Sequence, residues 1–156
     1  MSSGPTKDDL IGQIAGLVMR WQDATQKYDE AVGALYNLNV AERHCLSLLW
    51  QAPQTGAAIA REIGLTPPSV TALVDRLELR GYVRREPNPT DRRKIMIAIT
   101  DKTRAMTEHV YQPLAVAGHK LLSGYTREQL LTILDFTQAA LEIQQGMIEA
   151  LPDHAE

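Results

Sequence analysis

"AAIAREIGLTPPSVTALVDRLELRGYV", Ala57 to Val83, decides the fold. Two short helices that cross steeply need a small residue where they touch, and Ala60 supplies it. The turn between them needs a backbone free to take positive φ, which Gly64 provides. Thr66 caps the second helix, and Pro67 stands at its first position, where a missing N–H costs nothing. Val70, Leu73, Val74 and Leu77 form the inward stripe of that helix, and Gly81 stops it. These are the requirements of a helix-turn-helix. The alternative is an ordinary helical hairpin with alanine and glycine placed by chance. The capping proline and the segment after Gly81 favour the former.

After Gly81 the hydrophobic period changes. Val83 to Arg85 reads as a short strand, and "EPNPTDR" as a turn whose prolines cannot donate to a ladder. Ile95, Ile97 and Ile99 alternate with Lys94, Met96 and Ala98, which predicts a second strand. A two-stranded hairpin is not stable alone, so it must lean on the helices. Upstream, Thr55 caps a helix over 56–63, and "APQT" before it reads as a loop. Asn39 and Glu42 form a capping box that opens a helix to about Gln51, with Leu46 and Leu49 inward. Residues 8–36 read as one long helix, striped by Leu10, Ile14, Leu17, Val18, Trp21, Tyr28, Val32 and Leu35. Downstream, Thr100 or Asp101 opens a long helix through Met106, Val110, Leu114 and Leu121, bent at Pro113 and ended by Gly124. Thr126 with Gln129 is a further capping box, opening a last helix over 127–149 faced by Leu130, Leu134, Leu141 and Ile148.

The expected fold is mainly α with a small β-hairpin wing. A winged helix-turn-helix lobe occupies 39–100, with long helices over 8–36 and 101–149, in one module spanning 1–156. The apolar stripes of the long helices exceed what so small a lobe can cover. That predicts pairing with a second copy across a two-fold axis. The competing arrangement folds these helices over the lobe within one chain.

Bulk composition is globular: 44% hydrophobic and 22% charged residues in 156 leave no case for disorder. Cys45 is the only cysteine, so no intrachain disulfide forms, which fits a reducing compartment. The start "MSSGPTKDDLIGQIAGLVMRW" does not read as a signal peptide, because Gln13 breaks its apolar part and Asp8 and Asp9 precede it. No apolar run approaches the roughly 20 residues of a membrane span. The expectation is a cytoplasmic protein with no membrane partner.

The formal net charge is −3, yet Arg84, Arg85, Arg92, Arg93 and Lys94 crowd into one short stretch. A helix-turn-helix places the N-terminal end of its second helix in the major groove. Opposite the buried stripe lie Pro68, Ser69, Thr71, Ala72, Asp75, Arg76 and Leu79, with Thr66 at the cap. Ser69 and Thr71 can hydrogen-bond base edges or phosphates, Pro68 and Ala72 can touch a thymine methyl, and Arg76 can reach a phosphate or a guanine. The hairpin is the wing. Arg92 and Arg93 at its tip, with Lys94 just after, would meet the negative potential of a neighbouring minor groove. Arg84 and Arg85 begin its first strand, placed for phosphates. Asp91 is expected to orient an arginine rather than touch DNA, and Asp75 to do the same for the wing. The bland alternatives are a solvated helix face and a charged turn that keeps an edge strand from aggregating.

"GLTPPSVTALVDRLELRGYVRREPNPTDRRKIMIAIT", Gly64 to Thr100, resembles the MarR family of winged helix-turn-helix transcriptional regulators. The most specific matches are Asp75 to Glu78, Arg80-Gly81, and Asp91 to Arg93 followed by the strand ending at Thr100. The helix order on both sides fits as well. The resemblance implies a homodimer on a pseudo-palindromic operator, usually a repressor released by a small ligand or an oxidant. It implies major-groove contacts from Ser69 to Arg76 and a minor-groove role for Arg93.

Trp21, Tyr28, Tyr36, Trp50 and Tyr111 are candidates for a ligand cleft between the long helices and the lobe, suited to a small aromatic acid. Redox sensing through Cys45 and a winged-helix protein-interaction module are the competing functions. His44, His109, His119 and His154 show no metal-ligand spacing, and no phosphate loop, nucleophile elbow or carboxylate pair is present. Neither a metal, a cofactor nor an enzymatic activity is expected.

Overall fold

The computed structural model describes residues 4–151; His154 lies outside them. The elements run α1 (Lys7–Leu35), α2 (Val40–Gln51), β1 (Gln54–Thr55), α3 (Gly56–Ile63), α4 (Pro67–Leu79), β2 (Val83–Pro87), β3 (Ile95–Ile99), α5 (Asp101–Leu122) and α6 (Arg127–Glu149). The chain forms two compact units, one running through Glu108 and the other starting at His109. The boundary falls inside α5. Helix α1 and the first turns of α5 are therefore in the same unit as the helix-turn-helix.

Local chemistry accounts for where the helices begin. The capping boxes of Asn39 with Glu42 and of Thr126 with Gln129 are both closed reciprocally, and Thr6 with Asp9 forms a third at the start of α1. Thr55 and Thr66 cap α3 and α4, with Pro67 opening α4. The Thr66 cap leaves the start of α4 exposed, with Pro67, Pro68 and Ser69 all facing water. Gly64 turns the chain between α3 and α4 at φ 66° and ψ 33°, the left-handed conformation that a Cβ disfavours.

The core of the first unit lies where α2, α3, α4 and the sheet meet. Leu49, Ile59, Leu73, Val74, Leu77 and Val83 are fully buried there. The start of α5 is tied to the end of α4. Thr100 Oγ1 donates to Gly81 O at 2.7 Å, and the buried Thr103 Oγ1 donates to Tyr82 O at 2.5 Å.

The sheet departs from expectation in two ways. It has three strands in the order β1-β3-β2, all antiparallel, because Gln54 and Thr55 pair with Ile97 and Met96. The supposed "APQT" loop thus supplies a strand. Two residues are too few to show a period, so this strand exists only because β3 lies beside it. The second departure is that β2 continues to Pro87, opposite Ile95. A proline is tolerated there because β2 is an edge strand. Along β3 the alternation fades: Ile95 is exposed, while Ile97, Ala98 and Ile99 are all buried. The strand packs against α2 and α3 at its base and leaves them toward the wing tip.

The long helices leave their stripes uncovered. Helix α1 buries only Val32 and Gly33, α5 only Thr103, and α6 nothing. Leu10, Leu17 and Trp21 on α1 are exposed, as are Leu134, Leu141 and Ile148 on α6. Within the first unit, α1 therefore does not fold its stripe over the lobe. None of the helices among the described residues is long and apolar enough to cross a membrane.

Candidate nucleic-acid interface

Helix α4 buries Val70, Leu73, Val74 and Leu77 and exposes the opposite face. Pro68, Ser69, Thr71, Ala72, Asp75, Arg76 and Leu79 all lie on that exposed side, with Thr66 at its head. Local bonds order the hydroxyls. Thr66 Oγ1 and Ser69 Oγ share a hydrogen bond of 2.8 Å, and Thr71 Oγ1 donates to Pro67 O at 3.1 Å. The hydroxyl oxygens of Ser69 and Thr71 each keep a lone pair for an outside donor. The Arg76 side chain is half exposed, and its Nε–H donates to Glu42 Oε1 at 3.3 Å.

The wing is bolted to this helix. Arg85 Nη2 donates to Asp75 Oδ1 at 2.6 Å, Arg85 Nη1 donates to Glu78 Oε2, and the Arg85 backbone N–H donates to Glu78 Oε1 at 3.1 Å. The Asp75 hydrogen bond, aided by the charges of Glu78 and Asp75, raises the Arg85 pKa further above its ordinary value. Asp75 therefore sits against the wing, and Glu78 joins it. Glu78 was not among the sequence candidates, although its place three residues after Asp75 on one helix was a usable signal.

The same contacts correct the expectation for the first wing strand. Arg85 does not stand free for a phosphate, because α4 presents two carboxylates to it. Arg84 is likewise engaged, with Nε on Glu86 Oε2 at 2.9 Å and Nη1 on Ile99 O at 2.5 Å. Its neighbours on β2 and β3 supply acceptors at the distance its fork requires.

The tip is different. Asn88 Oδ1 accepts from Thr90 N–H, Thr90 Oγ1 and Asp91 N–H at 2.8, 2.7 and 3.1 Å, and Asn88 N–H donates to Lys94 O at 2.9 Å. Asp91 Oδ1 accepts from the backbone N–H of Arg93 at 3.2 Å. So Asp91 orients Arg93 through its main chain, not through its guanidinium. Arg92, Arg93 and Lys94 are exposed, and their side chains make no hydrogen bond or ion pair among the described residues. A hydrogen-bonded polar turn thus carries three cations with no ion pair among the described residues.

A groove of about 290 Å³ runs between α3, the start of α4 and the sheet, with Val70, Thr71, Val74, Arg85, Ile95 and Ile97 in its walls. A second hollow of about 280 Å³, walled by His44, Gln51 and Glu62 among others, lies between α2 and α3. Neither is lined by Trp21, Tyr28, Tyr36, Trp50 or Tyr111. Trp21, Tyr28 and Trp50 are exposed, Tyr36 is half-buried, and Tyr111 belongs to the second unit. The Arg104 guanidinium covers Trp50, 5.3 Å from a ring centroid.

Cys45 is fully buried, and burial first and the Glu42 charge second push its pKa up to about 12. A thiol held protonated at neutral pH is a poor oxidant sensor. Among the described residues no three His, Cys, Asp or Glu side chains gather as metal ligands would.

The MarR family model matches residues 38–95, from the start of α2 into the wing. Along nearly its whole length the chain is similar to an uncharacterised HTH-type transcriptional regulator, YcgE, of Bacillus subtilis. The identity is 30% over 152 residues, covering 97% of this chain and 99% of that one. Among solved structures, the transcriptional regulator Tm0710 of Thermotoga maritima aligns with a TM-score of 0.61 at 22% identity, covering 90% of this chain and 99% of that one. A mutant of S. aureus MepR, bound to an oligodeoxyribonucleotide, aligns with a TM-score of 0.54 at 20% identity, covering 85% and 97%. At such identities the two structures speak for the fold alone.

Proposed function

Because this chain belongs to the MarR family and is a DNA-binding transcriptional regulator, we propose that it acts as a homodimeric repressor released by a small ligand. Its operator is pseudo-palindromic, and it works in the cytoplasm. The observation that carries the reading is the three cations of the wing tip that have no side-chain partner among the described residues, held beside an exposed α4 face on a chain of net charge −3. Positive charge placed at one edge lets an acidic protein approach phosphates there and nowhere else.

In this reading α4 enters the major groove, where Thr66, Pro68, Ser69, Thr71, Ala72 and Arg76 meet bases and phosphates. Arg93, with Arg92 and Lys94, follows the adjacent minor groove. Arg85, through Asp75 and Glu78, sets the angle between the two reading elements, and Arg84 serves the wing's own strand edge. One such lobe reads few base pairs, so two copies bind half-sites about 34 Å apart, one helical turn. The uncovered stripes of α1, α5 and α6 support a second copy, since leaving so many leucines and isoleucines in water forgoes about 25 cal/mol for every Å² they could bury. Occupancy of the operator then blocks transcription.

Release by a small aromatic acid is supported by the groove beside Arg85, which offers apolar walls and one cation. A carboxylate there would compete with Asp75 and Glu78 for Arg85 and loosen the wing from α4. The aromatic cleft of Trp21, Tyr28, Tyr36, Trp50 and Tyr111 remains the second candidate location.

Selection from a random-sequence duplex pool with the full chain tests the reading, followed by sedimentation of the selected complex. A recovered inverted repeat bound by two chains, with affinity falling steeply as salt rises, is the expected result. A chain that retains no duplex at low ionic strength, or binds DNA as a single copy, would refute it. A winged-helix protein-interaction module would give the first of those outcomes.

A further inference from the structure

Glu42 is a carboxylate with 4% exposure. It closes the capping box of α2, where its Oε2 accepts from Asn39 N–H at 3.0 Å and Asn39 Oδ1 accepts from Glu42 N–H at 2.9 Å. A cap needs neither burial nor a full charge, and glutamine serves as well as glutamate at this position. The rest of the carboxylate has other partners. Oε1 accepts from Arg76 Nε–H at 3.3 Å, and Arg80 Nη1 stands 3.7 Å from Oε2. Arg80 in turn donates to the end of α1, from Nη2 to Tyr36 O at 2.6 Å and from Nη1 to Asn37 O at 2.9 Å. One buried anion therefore joins the start of α2, the exposed helix α4 and, through Arg80, the end of α1.

Of the two arginines, Arg76 faces outward. Its side chain is 54% exposed, against 31% for Arg80. With Nε held from behind, the two Nη groups form the outward edge, and they make no hydrogen bond among the described residues. An untethered arginine on a helix surface samples many rotamers, and ordering it on contact weakens binding. An arginine already aimed by a buried carboxylate avoids that loss. Its fork geometry then discriminates, since a guanine offers O6 and N7 to two parallel N–H groups.

We propose that Glu42 is a positioning residue for sequence readout, holding Arg76 so that its free Nη edge meets a guanine in the major groove. The inference rests on the DNA-binding reading above. Glu42 itself touches no DNA; it acts through Arg76.

The test uses the full chain with Glu42→Gln, Arg76→Ala, the double variant and Arg76→Lys. Each is titrated against the duplex selected by the parent chain and against a scrambled duplex of equal length, with thermal melts in parallel. Glu42→Gln keeps the capping box and removes the charge offered to Arg76 and to Arg80, so only an effect that vanishes in the Arg76→Ala background belongs to Arg76. This substitution should lower the ratio of the two affinities about tenfold, leave scrambled-duplex affinity unchanged, and have no further effect once Arg76 is alanine. Arg76→Lys keeps a charge on the exposed face but has no Nε–H for Glu42 and leaves α2 untouched. It should lose discrimination to a similar extent, and it decides the question should Glu42→Gln melt early. Full discrimination by either variant overturns the positioning role, as does a Glu42→Gln effect undiminished in the Arg76→Ala background. In those cases DNA binding by the parent chain still stands. A parent chain that binds no duplex overturns both readings.

Discussion

Arg93→Ala separates the free cations of the wing from the committed ones. The Arg93 guanidinium has no partner among the described residues, and the turn that carries it is held by Asn88, Thr90 and Asp91 through main-chain contacts. The substitution should therefore leave the fold and its melting temperature unchanged. In a two-fold complex it deletes two DNA contacts, one per wing. Each contact contributes about 0.9 to the slope of log K against log salt, so the slope should fall by about 1.8. Raising salt from about 50 to about 200 mM is a fourfold change, and the parent's advantage over the variant should shrink roughly twelvefold across that range. Fluorescence anisotropy of a labelled selected duplex, titrated at several salt concentrations, measures it. Arg85→Ala is the contrasting variant. Asp75 and Glu78 already neutralise that arginine, so its loss should change the slope by less than about 0.5 while lowering affinity through a loosened wing. An unchanged slope for Arg93→Ala, or the same fall for Arg85→Ala, would refute the division between free and committed cations.

Four further outcomes test the packing and the buried thiol. Ile59→Ala empties a fully buried site at the α3–α4 junction and should cost about 2–5 kcal/mol, or roughly 4–20 °C in melting temperature; a smaller loss would mean that the site collapses. Gly64→Ala meets open space but must adopt φ 66°; it should destabilise by about 1 kcal/mol in denaturant melts, with Gly64→Asn recovering much of the loss. Cys45, with its pKa raised from about 9 to about 12, should react with iodoacetamide at pH 8 only as fast as the chain opens; labelling at the rate of an unfolded peptide would contradict its burial. Because that pKa is raised in the folded state, its contribution to stability is intact below about pH 9 and fades as pH climbs toward 12. Cys45→Ala should flatten that part of the alkaline loss in pH-dependent melts.

Much of this protein was legible from neighbours along the chain. Helix starts at Asn39, Thr55, Thr66 and Thr126, and the stop at Gly64, each depend on a side chain and an N–H about three residues apart, or on one backbone angle. The buried stripe of α4 and the wing after it follow from period alone. Burial of Ala98 did not follow, because the base of β3 packs against α2 and α3 from other parts of the chain. Nor did β1, whose two residues become a strand only when Ile97 lies alongside. In one dimension all five cations at the wing read as DNA contacts, Arg92 and Arg93 at the tip and Arg84 and Arg85 for phosphates. Arg84 and Arg85 proved to be neutralised or bonded at home, and Arg92, Arg93 and Lys94 make no side-chain hydrogen bond or ion pair among the described residues. Arg76 shows why: the carboxylate that aims it comes from 34 positions away. Caps and turns are contacts between neighbours, so amino-acid order specifies them. The partner of a charge is chosen by whichever surface the fold brings within about 4 Å, and no run of letters encodes that distance.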